Sequence, residues 1–368
     1  MSGQKPPSIF RIYAFSTLIS LALIAFVGVK VGVAGLLLVI VLAALEITFS
    51  IDNAVINTKI LEKMSYAWQQ AFLTVGIIIA VFGVRVILPI YIVSLATGLT
   101  MGGTVDLALN HPEEYGEKLD DSHVMIGAFG GTFLLMIFLD FFFQKRKVKW
   151  LKGIEETLHK VGKLESMSVI IALITLLGMA SLLHAEEREV ALTAGAFGLL
   201  IYLIINSLDT LLEKSNVSKS LQKSAQNTFK AGLIGFLYLN VVDASFSLDG
   251  VIGAFAITNQ ILLIAVGLGI GALYVRVITV HMLRHKVLNR YRFMEHGAHY
   301  AIGILAVLML ASLKFHIPEV ITGLAGIAFV TTAVVHSILL NKRDGGVADA
   351  HLRRLFGIEG GRFDDGGA

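Results

Sequence analysis

Long apolar runs alternate with short polar connections along this chain. A stretch of roughly 20 apolar residues matches the length of one helical membrane crossing. The pattern therefore predicts about ten spans, near 10–29, 33–58, 69–95, 123–143, 167–184, 190–212, 231–257, 260–283, 299–314 and 319–340. The fold class this implies is all-α, a polytopic membrane helix bundle. Lys5 and Arg11 precede the first run much as in a signal peptide. No small-residue cleavage pattern follows, so this run is read as a retained span.

The connections set an orientation. Lys and Arg gather on the cytoplasmic side of membrane proteins, and here they fall in alternate connections. They occur in the N-terminal tail, after span two (Lys59, Lys63), in 145–163 after span four, and again after spans six, eight and ten. The longest opposite-side connection is acidic, with Asp106, Glu113, Glu114, Glu117, Asp120 and Asp121. Both termini are then cytoplasmic. The polar, glycine-rich segment 341–368 reads as a flexible cytoplasmic tail.

Composition agrees with a membrane protein. Of 368 residues, 55% are hydrophobic and only 15% charged, against roughly a quarter charged in soluble domains. A net charge of +3 leaves no basic surface for nucleic acid. The chain has no cysteine, which excludes disulfides, thiolate metal sites and cysteine nucleophiles. The basic cytoplasmic connections are read as topology signals in contact with lipid headgroups.

One acidic motif occurs twice. Span two reads Glu46-Ile-Thr-Phe-Ser50-Ile-Asp52-Asn53, and span seven reads Asp243-Ala-Ser-Phe-Ser247-Leu-Asp249-Gly250. One span later, each copy is followed by an arginine in a like setting, Val84-Arg85-Val-Ile87 and Val275-Arg276-Val-Ile278. Spans two and seven are five crossings apart and run in opposite directions. That is the signature of an inverted 5+5 repeat, with residues 1–189 as the first half and 190–340 as the second.

Carboxylates at this depth cost roughly 2.5–3.5 kcal/mol each on insertion scales. One reading is structural: Arg85 and Arg276 pair with the acids and tie the bundle together. Yet two arginines leave two of the four acids unbalanced, which suits one divalent cation or two protons. The oxygen donors Glu46, Ser50, Asp52, Asn53, Asp243, Ser247 and Asp249 suit manganese, magnesium or calcium as a transported substrate. No resident cofactor is implied. At about 100° per residue, Glu46, Ser50 and Asn53 share a helix face while Asp52 points roughly 120° away. Local unwinding would bring them together, and Gly250 and Gly253 favour it in the second copy; the first copy has no such glycine.

These motifs resemble the TerC family of integral membrane proteins, through Glu46 with Ser50-Ile-Asp52-Asn53 and Asp243 with Ser247-Leu-Asp249-Gly250. The likeness is close over the two motif helices and loose elsewhere, and is nearest a longer bacterial branch of unassigned function. Gly250 departs from a side-chain ligand, against a fully symmetric site. The resemblance implies a transporter, not an enzyme, in a bacterial inner membrane, exporting manganese through Glu46, Asp52, Asn53, Asp243 and Asp249. The family's tellurium resistance would be indirect, since an acidic site repels the tellurite oxyanion. The alternatives are a proton-coupled monovalent cation antiporter, an intramembrane aspartyl protease and a non-transporting stress-response scaffold; protein partners are unknown.

Outside the motifs, Asp140 and Asp209 are read as interface-level acids. His281, His285, His296 and His299 are read as solvated residues at the cytoplasmic side. Gly130-Gly131, Gly232, Gly235, Gly267, Gly269 and Gly271 are read as close-packing positions between helices.

Overall fold

The computed structural model describes residues 9–164, 166–215, 225–258, 260–315, 317 and 319–343. All regular structure among them is helical. In chain order the helices are α1 (Ile9–Val31), α2 (Val33–Phe49), α3 (Ile51–Leu61), α4 (Tyr66–Leu73) and α5 (Val75–Ile78). A π-helical stretch, Ile79–Ile87, leads into α6 (Leu88–Thr97). Next come α7 (Met101–Asn110), α8 (Pro112–Asp121), α9 (His123–Phe143), α10 (Lys152–Val161), α11 (Met167–Ser181) and α12 (Ala185–Ser215). The last are α13 (Ala225–Ile257), α14 (Ile261–Arg284), α15 (Val287–Arg290), α16 (Met294–Ser312) and α17 (Glu319–Arg343).

Seven helical stretches are long and apolar enough to cross a membrane, and the bent pair α2–α3 makes an eighth. Two shorter apolar helices, Met167–Ser181 and Gly232–Ser247, stand where the sequence predicts the fifth and seventh spans. Among the described residues the chain is thus all-helical, with seven or eight apolar spans.

The centre of the bundle is α9, which is buried on nearly every side and packs chiefly on α12 and α16. Small residues let these helices approach. A Cβ at Gly131 of α9 would lie 2.8 Å from Leu310 Cγ of α16, and one at Gly198 of α12 would lie 2.3 Å from the Phe129 carbonyl of α9. On the other side α14 lies along α2 and α3, with Gly267 against Leu42. The outward face of α1 carries exposed Phe15, Leu18, Leu21 and Val29, apolar groups suited to lipid tails.

Two polar connections are structured. The acidic insertion forms the helical hairpin α7–α8, held by buried Tyr115 and Leu119, with Tyr115 against Phe255. The connection after α9 folds into α10, where buried Glu155 accepts hydrogen bonds from the Trp150 and Leu151 amides at 3.1 and 3.0 Å.

Candidate functional site

The first motif copy lies on a broken helix. The bend between α2 and α3 is 53°, and Ser50 at the junction has φ −103°, ψ 18°. Its amide still donates to the Glu46 carbonyl at 3.1 Å, and its Oγ donates to Glu46 Oε1 at 3.2 Å. The second copy sits within α13, which continues through the motif to Ile257. This reverses the expectation from the glycines, which placed unwinding at Gly250. The physical reason is visible at that residue. A Cβ at Gly250 would stand 3.2 Å from Glu46 Oε2. Gly250 therefore serves close approach between the two copies rather than bending.

Each copy's first acid is held by the arginine of the same half. Arg85, in the π-helical stretch, donates through Nη2 to Glu46 Oε1 and through Nη1 to the Ala80 carbonyl at 2.8 Å. Arg276 of α14 donates through Nη2 to Asp243 Oδ2 at 3.3 Å and through Nη1 to the Phe72 carbonyl at 2.9 Å. Its guanidinium also lies 3.9 Å from the centre of the Phe72 ring, a cation–π contact. Glu46, Arg85 and Asp243 are each 5% exposed and Arg276 2%. Arg85 also lies within electrostatic reach of Asp243 and of Arg276, so the two pairs form one charged centre. A buried acid–arginine pair of this kind stays charged only because both partners are present.

Glycines again make the room. A Cβ at Gly271 of α14 would fall 2.4 Å from Glu46 Cβ and Cγ, and one at Gly76 would fall 2.7 Å from Arg276 Nη1.

Asp52 belongs to a different neighbourhood. It is 5% exposed, its Oδ1 accepts from the Asn53 amide at 2.9 Å, and its Oδ2 faces Gly326 of α17. Among the described residues it has no basic partner. The expected divergence between Glu46 and Asp52 is thus present. The break at Ser50 does not bring them together.

Around these groups several buried oxygens have no hydrogen-bond partner among the described residues: Asn53 Oδ1, Asn57 Oδ1, Asn240 Oδ1 and Ser247 Oγ. Such orphans are uncommon in folded proteins and need a reason. Asn57 and Asn240 escaped the motif comparison, since they lie outside the repeated eight residues. The signal was present in the helical spacing: Asn57 follows Asn53 by four residues, and Asn240 precedes Asp243 by three. The side chain of Asp249 lies outside the described residues, as does that of Asp209. No group of three or more His, Asp or Glu side chains is placed to hold a metal among the described residues.

The other acids and histidines are also placed. Asp140 is not a free interface acid, because Ser168 Oγ of α11 and Tyr202 Oη of α12 (2.7 Å) donate to its two oxygens and tie three helices. His296 and His299 are buried rather than solvated, at 4% and 8% exposure. His299 stacks on Phe141, and His296 donates to the Val148 carbonyl at 3.0 Å beside Glu155. Phe141 and Phe142 of α9, which pack against these rings, take them out of solvent. His281 and His285 stack on each other at 4.5 Å.

This arrangement, an all-helical bundle of apolar spans around a buried acid–arginine centre, defines a polytopic membrane protein. The model of the family described as protein of unknown function DUF475 matches residues 51–344, and the chain belongs to that family. The matched stretch starts at Ile51, the first residue of α3. No curated protein matches, and no solved structure matches.

Proposed function

We propose that this protein is a membrane transporter, not an enzyme, which moves a divalent cation outward, manganese being the best chemical fit. The observation that carries the reading is Asp52, a buried carboxylate without a basic partner among the described residues, on a helix rich in unpartnered oxygen donors. Intramembrane acids are costly and mark ion paths. Arg85 and Arg276 neutralise Glu46 and Asp243. Asp52 and Asp249 then carry the charge left over, which balances one divalent ion. Carboxylate, carboxamide and hydroxyl oxygens suit hard cations.

In this reading the two shorter apolar helices also cross the membrane, giving ten spans in two inverted halves of five. Both termini face the cytoplasm of a bacterial inner membrane, in keeping with the distribution of Lys and Arg. The resemblance to the TerC family supports manganese among the hard ions. The binding set is Asp52, Asn53, Ser50, Ser247 and Asp249. Glu46 and Asp243 are ligands only when their arginines let go. An aspartyl protease needs two carboxylates sharing one proton, and arginine pairing removes Glu46 and Asp243 from that role.

The test is metal content, by mass spectrometry, of cells overproducing the wild type or Asp52→Asn. The wild type is expected to lower cellular manganese and the variant to leave it at the control level. Unchanged manganese, calcium and magnesium in wild-type cells would remove the divalent-export reading. A monovalent antiporter would instead appear as a shift in sodium or potassium.

A further inference from the structure

The orphaned oxygens on α3 and α13 fall on one seam. The two helices pack together, and contacts at both ends fix them as antiparallel. Just before α3 begins, Gly250 of α13 lies against Glu46 of α2, four residues ahead of Ser50. At the far end, Gly235 of α13 would place a Cβ 3.2 Å from Met64 Sδ just past α3, and Leu61 shares an apolar cluster with Phe236 and Leu239. Interpolating along the seam sets Ser50 opposite Ser247, Asn53 opposite Asp243, and Asn57 opposite Asn240. Between Ser50 and Asn57 the facing positions of the seam are thus polar.

From this register we infer that Asn57 and Asn240 form a second, uncharged cation subsite. It lies about 7–8 Å along α3 from Asp52, taking about 1.5 Å rise per residue. Asn57 is 1% exposed, and neither its Oδ1 nor Asn240 Oδ1 has a hydrogen-bond partner among the described residues. The Asn240 amide nitrogen is already committed to the Phe236 carbonyl at 2.7 Å. With the nitrogen so engaged, the carboxamide has only its oxygen left to offer, an acceptor with two lone pairs. Two buried amide oxygens without donors among the described residues match a hard cation such as Mn²⁺ or Ca²⁺, which takes neutral carbonyl oxygens readily. They offer nothing to an anion.

A neutral subsite next to a charged one has a kinetic use. An ion held only by carboxylates leaves slowly, whereas two sites of unequal strength let it enter and depart. α3 carries both, with Asp52 near its start and Asn57 towards Leu61. Beyond Asn57 the seam ends in the apolar packing of Leu61 against Phe236 and Leu239.

The inference rests on the transporter reading, and its test separates the two. Purified full-length protein in detergent is titrated with Mn²⁺, and bound ion is counted by electron paramagnetic resonance. The wild type is expected to bind a second, weaker manganese ion that Asn57→Ala and Asn240→Ala each weaken at least about tenfold. Asn57→Asp, which keeps the shape and adds charge, is expected to tighten it. Should an alanine variant fail to fold, Asn57→Asp alone carries the test. Binding lost in Asp52→Asn but unchanged in all three asparagine variants would overturn the subsite and leave the transporter reading intact. A wild type that binds no ion would overturn both.

Discussion

Gly250 and Glu46, on opposite copies of one motif, approach so closely that a single added methyl group would stand 3.2 Å from the carboxylate. The missing side chain at 250 is therefore part of how the first copy's acid is housed. Gly250→Ala is expected to push Glu46 against Arg85 and to reduce transport while leaving the protein folded. Gly271→Ala is harsher, since its methyl would meet Glu46 Cβ and Cγ at 2.4 Å. Overpacking of this kind costs about 1–3 kcal/mol. Thermal melting in detergent should rank the variants wild type, Gly250→Ala, Gly271→Ala.

The arginines should be indispensable singly and dispensable in pairs. Arg85→Gln leaves Glu46 charged and buried without its partner, a loss of about 3–5 kcal/mol. Glu46→Gln/Arg85→Gln removes both charges and should recover most of that stability. The same holds for Asp243 with Arg276, whose loss also frees the Phe72 carbonyl. Chemical denaturation of the two single variants and the double variant is the measurement, and full additivity would contradict the pairing.

Asp52 should behave in the opposite way. Having no basic partner among the described residues, it contributes nothing through a salt bridge, and burying its charge is unfavourable. Asp52→Asn is expected to leave the melting temperature unchanged or higher and to abolish transport. A marked loss of stability would instead mean that Asp52 holds the bundle together.

In the connection after α9, Glu155→Ala removes the acceptor of two backbone amides, at about 1 kcal/mol per hydrogen bond. The segment around α10 should then open more often. Faster tryptic cutting at Lys152 and Lys160, with the bundle intact, is the expected readout.

The sequence made the spans legible because a membrane admits little besides apolar helices of a fixed length. It also made the acid–arginine pairing legible, since Glu46 and Arg85 recur as Asp243 and Arg276. It pointed to the wrong copy for the helix break. Glycine content guided that expectation, but Gly250 answers to the bulk of Glu46, a residue some two hundred positions away that no local rule can see. Asn57 and Asn240 lay outside the repeated eight residues, so only the antiparallel register joins them. The burial of His296 depends on Val148 and Glu155 of the connection folding over it, and that of His299 on the Phe141 ring of α9; neither long-range contact shows in a connection rich in lysine.

The bend at Ser50 has one more effect. It starts a new helix, α3, in the middle of the bundle, and the aligned peptide dipoles of that helix present a positive pole there. Asp52 and Asn53 occupy its first turn. A carboxylate can be protonated, paired or replaced; a pole made of main chain cannot. In Asp52→Asn that pole would stand without its offsetting carboxylate, so the start of α3 would disfavour a cation through its main chain as well as through the ligand lost.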